Sequence, residues 1–167
     1  MTPDTLGALA KYNAWANRTV LTVAATLSQE ELAAQSSPSH SSVSQLLLHM
    51  LECETFFLSL CRGTPFVRLP ALPTMADIRA HWDGLSRELC DFVASLTPDG
   101  LGRVLQVEIG GSQYQLPIWQ LLSQAIVHST HHRGELSIVL TALGRPLPNL
   151  DILLHFIEQS GQAWVHK

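Results

Sequence analysis

His128 and His132 stand four residues apart in the run Ile-Val-His-Ser-Thr-His-His-Arg-Gly-Glu, residues 126–135. On a helix this spacing stacks two imidazoles on one face, one turn apart, so both can present a nitrogen to the same metal ion. The plain alternative is two helix histidines, each hydrogen-bonded in a core or exposed. Two ligands rarely hold a metal, and the third candidate is His49, in the middle of an earlier run with helical apolar period. Three neutral imidazoles suit a divalent ion such as Zn, Ni, Cu, Fe or Mn. They leave coordination positions open, as in catalytic rather than structural zinc sites. Such an ion can lower the pKa of a bound water or thiol and polarise an electrophile's oxygen.

Ligating histidines usually donate their second nitrogen to a carboxylate or carbonyl, and Glu52, Glu135 and Asp151 are candidates for that orienting role. Glu52 lies one turn beyond His49 and could instead be a fourth ligand or a general base. His131 makes a rival i, i+3 pair with His128, but it points about 100° away from His132 and reads as peripheral. His40, His81, His155 and His166 read as surface or loop residues, and Tyr12 and Trp15 as packing. Cys53 and Cys90 read as core residues, and no cysteine is needed as nucleophile.

The elements that must position these side chains follow from caps and periodicity. Thr2, Pro3 and Asp4 open a helix over residues 3–27, with Leu6, Leu9, Tyr12, Ala16, Val20, Val23 and Leu27 at helical spacing. Ser28 with Glu31 is a capping box for a short helix to about Ala34, and residues 35–41 form a Ser-rich loop. A second box, Ser42 with Gln45, opens residues 43–62, where Leu46, His49, Cys53, Phe56 and Leu60 share a face and Gly63 is the stop. Residues 64–73 carry three prolines and read as a long surface connection. Thr74 and Asp77 start a helix to about Leu96, which Pro98-Asp99-Gly100 ends. Residues 104–109 and 112–116 around Gly110-Gly111 read as a hairpin. Pro117 opens the last long helix, through Leu143, and a short helix over residues 150–159 follows. The expected fold is all-α: a single-domain, antiparallel-type four-helix bundle over residues 1–167, with the hairpin between helices three and four. Bundles build metal sites from facing helices, which is how His49 would meet His128 and His132.

Composition narrows the function classes. Of 167 residues, 46% are apolar and 14% charged, enough to bury a large core. The net charge of −4 and the scattered arginines exclude an electrostatic nucleic-acid surface. No uninterrupted apolar run reaches the roughly 18 residues of a membrane span. Three cysteines without a Cys-x-x-Cys pair, and an N-terminus without a signal pattern, lead us to expect a reducing cytoplasm and free thiols.

Several blocks together resemble the DinB family, also called the DinB/YfiT-like metalloprotein superfamily, over nearly the whole chain. Residues 12–18, Tyr-Asn-Ala-Trp-Ala-Asn-Arg, are similar to its aromatic-Trp-Ala-Asn signature in helix one. Residues 48–54 resemble the block around its first histidine, and His128 to Gly134 its His-x3-His-Arg-Gly string. Gly144 and the stretch from Pro148 to Asp151 resemble the pattern that follows. The departure is Glu135, where the family most often carries Gln.

The resemblance implies a bundle, often dimeric, with a divalent metal held by three histidines and water. It also implies thiol-dependent relatives, mycothiol-dependent maleylpyruvate isomerase and bacillithiol S-transferases. The leading expectation is a cytoplasmic homodimer binding zinc or nickel, with iron or manganese next, at His49, His128 and His132. It would transfer a low-molecular-weight thiol to a small-molecule electrophile, with the hairpin and helix ends shaping the mouth and Glu52 or Glu135 as orienting carboxylate or base. The alternatives are a metal-dependent hydrolase and a non-catalytic, metal- or ligand-binding stress-response bundle.

Overall fold

The structure is a computed structural model that describes residues 1–70 and 74–163. Helix α1 spans Pro3–Ala24, α2 Gln29–Ala33, α3 Val43–Arg62, α4 Met75–Ala94, α5 Pro98–Gly102, α6 Ile118–Ala142 and α7 Ile152–Gln159. Strands β1, Val104–Ile109, and β2, Ser112–Pro117, pair antiparallel, with Val104 opposite Pro117 and Ile109 opposite Ser112. The expected all-α bundle with an inserted hairpin and a short terminal helix is present. Of the expected 64–73 connection, residues 71–73 lie outside the described residues, as does His166.

Most boundaries follow the caps. The Thr2 hydroxyl accepts from the Thr5 amide, and the Ser28–Glu31 and Thr74–Asp77 boxes close reciprocally. The Ser42–Gln45 box forms only in half. Ser42 accepts from the Gln45 amide, but its own N–H is donated to the His40 carbonyl at 2.7 Å, leaving nothing for Gln45 to accept. Helix α1 stops at Ala24 rather than Leu27 because Thr26 and Leu27 tighten into i→i−3 bonds before the extended Ser28 cap. Pro98 opens α5 instead of simply ending α4, with Thr97 as N-cap. Pro117 finishes β2 and caps α6, so the helix proper begins at Ile118.

Helix α3 packs on α6, α1 on α4, and α1 also on α6. Pairs between neighbouring helices set the directions. Thr22 meets Arg79 and Arg18 meets Asp83, so α1 and α4 are antiparallel. Glu54 meets Trp82 and Arg62 meets Glu88, so α3 and α4 run parallel. The bundle is therefore not a simple alternation of up and down, because α4 begins beside the start of α3 rather than beside its end. A 20-residue helix is about 30 Å long and the twelve residues 63–74 reach about 40 Å when extended, so such a return is feasible.

The core is lined by Leu6, Leu46, Leu47, Met50, Trp82, Leu122, Leu136 and Leu140, all at most 1% exposed. At that burial each apolar side chain contributes roughly 1.5–3 kcal/mol. The inner stripe of α3 runs through Val43, Leu47, Met50, Glu54, Phe57 and Cys61, so the expected face is displaced to one edge. His49, Cys53, Phe56 and Leu60 lie half-buried along that edge. Consequently Cys61, not Cys53 or Cys90, is the core cysteine, and all three thiols are free. Among the described residues no helix is long and apolar enough to cross a membrane.

Candidate metal centre

The site is built where α3 crosses α6. His49 sits in the second turn of α3, and His128 and His132 on successive turns of α6. Ring centroids lie 5.0 Å apart for His49–His128, 4.9 Å for His49–His132 and 4.5 Å for His128–His132. Imidazoles bound through one nitrogen each to a shared ion, 90–109° apart, have centroids roughly 4.5–5.2 Å apart. His49 Nε2 and His128 Nε2 approach to 3.2 Å. That is near the roughly 3.3 Å between two nitrogens on one tetrahedral zinc. The same approach also accommodates one N–H···N hydrogen bond. His128 Nδ1 is buried without a hydrogen-bond partner among the described residues.

The surroundings keep these rings neutral, so their lone pairs are available. Burial first, then the neighbouring His40, His128 and His132, push His49 down to about 4. Burial also lowers His128, and lowers His132 despite its bond to Glu135.

Glu135 accepts from His132 Nδ1 at 3.3 Å, which leaves the His132 Nε2 lone pair free. It also accepts from Ser37 Oγ at 2.6 Å, the Ser39 amide at 3.1 Å and Ser39 Oγ at 2.6 Å. Burial opposes ionisation, but these four donors outweigh it and hold the carboxyl at about 2. With its lone pairs so engaged, Glu135 is placed to hold the His132 ring in one orientation. Glu52 is half-buried and belongs to neither histidine group described below. Asp151 caps α7 and lines a separate cavity with Tyr12 and Arg133. The hairpin lies at the N-terminal end of α6, ten residues and about 15 Å before His128.

Two residues reach the site unexpectedly. His40, expected at the surface, stacks on His49 with centroids 3.9 Å apart and meets His132 edge-on at 5.3 Å. Cys53, expected in the core, brings Sγ to 3.7 Å from His49 Nε2. Ligand atoms of His40, His49 and His132 lie within 4.8 Å of one another, as do those of His49, Cys53 and His128. Either group could hold a metal, and His49 belongs to both; His128 and His132 fall in different groups, so the expected trio is not itself one of them. The i, i+4 spacing of His49 and Cys53 carried the signal for the second; nothing in the spacing announces His40. His131 is exposed, as expected. His155 is not a surface residue: it is 5% exposed, against Tyr12 and Trp15.

Beneath the histidines lies a buried polar network. Glu54, 2% exposed, accepts from Asn13 Nδ2 and Asn17 Nδ2 at 2.8 Å each, Ser129 Oγ at 2.5 Å and Trp82 Nε1 at 3.3 Å. Arg133 donates to the Oδ1 atoms of both asparagines at 2.6 Å and to Thr130 Oγ1 at 2.7 Å. Its guanidinium lies over the Tyr12 ring, whose hydroxyl donates to the Leu150 carbonyl. The network locks the rotation of α3 and α6 about their axes, and hence where His49 and His132 point.

Residues 1–162 match the sequence model of the DinB family. No functionally curated protein shows significant sequence similarity to the chain. Among solved structures, a DinB-like protein from Bacillus cereus is 18% identical with a TM-score of 0.67, covering 83% of this chain and 91% of its own. A DinB-like protein from Bacillus subtilis, also 18% identical, has a TM-score of 0.68 and coverages of 86% and 97%. At that identity the two structures speak to the fold alone, whereas the family match spans nearly every residue: the chain belongs to the DinB family.

Proposed function

We propose that His49, His128 and His132 hold one divalent cation, zinc or nickel first, and that the chain transfers a low-molecular-weight thiol to a small electrophile. The observation that supports the metal reading is the closeness of the three rings, 4.5, 4.9 and 5.0 Å apart, with ligand atoms in two groups that share His49. When bound, such a cation lowers the pKa of a thiol and polarises an electrophile's oxygen.

The chain's own residues do the rest. Burial keeps the imidazoles unprotonated, Glu135 fixes the tautomer of His132, and the Glu54–Arg133 network fixes the helix faces. Cys53 is not suited to act as the nucleophile, because burial and then Glu52 and Glu54 push its thiol up to about 11. The reactive thiol is therefore an external one. Hydrolysis is the weaker reading, since Glu135 is already hydrogen-bonded to four donors.

The test is a panel of small electrophiles offered to metal-loaded protein with and without low-molecular-weight thiols. Thiol-dependent consumption supports the proposal, and thiol-independent product would favour hydrolysis. Inert protein that still binds one metal per chain would leave a binding bundle.

A further inference from the structure

The geometry points to His40 as a fourth protein ligand of this centre, selected for that role by Glu135. The inference rests on the metal reading above but concerns a residue outside the three-histidine set. His40 lies in the loop between α2 and α3, and its ligand atom falls within 4.8 Å of those of His49 and His132. The loop is shaped for this placement. Ser37 bridges Ser41, Ser41 holds a left-handed φ of 65°, and the His40 carbonyl accepts from the Ser42 amide. A non-glycine residue in that region costs free energy and persists only where its surroundings enforce it.

The hydrogen-bond chain sets the tautomer. Ionised Glu135 only accepts, so the single Ser39 hydroxyl proton goes to Glu135 Oε2 at 2.6 Å. Ser39 Oγ, 2.6 Å from His40 Nδ1, must then accept from that nitrogen. His40 is thereby protonated on Nδ1 and carries its lone pair on Nε2. One carboxylate thus orients two imidazoles, His132 directly and His40 through Ser39. A glutamine at 135 would place an N–H₂ among four donors, so either the loop or a tautomer would be lost.

His40 now stacks 3.9 Å from His49, so ligation requires the loop side chain to move out by about 1 Å. Because His40 alone of the four sits on a loop, it is the ligand that an incoming thiolate would displace.

The test uses cobalt(II) as the metal probe, added to metal-free full-length protein. Replacing a water by a fourth imidazole on four-coordinate cobalt shifts the energies of its visible bands. His40→Ala should bind one cobalt per chain with the bands shifted from their wild-type positions, and free imidazole should restore the wild-type spectrum. Glu135→Gln should reproduce the His40→Ala spectrum, with affinity weaker by on the order of 10- to 100-fold. A His40→Ala spectrum identical to wild type overturns the His40 assignment while leaving the three-histidine centre standing. No cobalt bound by wild type overturns both.

Discussion

Glu54 and Arg133 share the bundle core through two amides: Asn13 and Asn17 each donate to the Glu54 carboxylate and accept from the Arg133 guanidinium. Each buried charge is compensated only while the other is present. Removing one partner of such a pair costs about 3–5 kcal/mol, because the survivor stays buried and unpaired. Glu54→Ala should therefore destabilise by that amount in urea unfolding. A loss below about 1 kcal/mol, the scale of an exposed ion pair, would show that the network is solvated.

This network also shows what was and was not legible in the sequence. The helices could be read because caps and apolar period are local, and Val43–Arg62 ends as Ser42 and Gly63 dictate. That the rings of His49, His128 and His132 lie side by side was legible from helical spacing plus bundle geometry. Glu54 was not, since an acidic residue on a helix reads as solvent-facing until its four donors converge from α1, α4 and α6. His40 was not legible because a loop position has no periodicity, and Glu135, distant in sequence, helps to fix the loop there. The parallel run of α3 and α4 depends on a connection whose composition indicates length but not direction.

Acid should lower the stability of the metal-free protein over two pH windows. His49 falls from 6.5 to about 4 on folding, mainly through burial, and His128 and His132 move the same way. Between those values the unfolded chain binds more protons, so stability drops as pH falls through 6.5 and this loss is complete near 4. Glu135 is held at about 2 rather than 4.5, so its contribution is present above 4.5 and lost as pH falls towards 2. Denaturation midpoints of chelator-treated protein at pH 7.5, 5.5 and 3.5 should decline in sequence, and His49→Gln should reduce the first decline. Equal midpoints at pH 7.5 and 5.5 would contradict this assignment.

The hairpin should be separable from the site. Gly110 and Gly111 take φ values of 61° and 78°, so a side chain at Gly111 is strained whatever space surrounds it. Gly111→Ala should cost about 1–2 kcal/mol of stability. Neither glycine belongs to a group of metal-binding side chains, so metal content should not change. Metal loss in a folded Gly111→Ala variant would place the hairpin at the site.

The central claim is that rings from α3 and α6 converge on one cation. Elemental analysis of protein purified without added metal, set beside His49→Ala and His132→Ala, tests it most directly. The account predicts one divalent metal per chain in wild type, and its loss in both variants while circular dichroism shows the helices intact. Metal retained at the wild-type level in folded His49→Ala would contradict it.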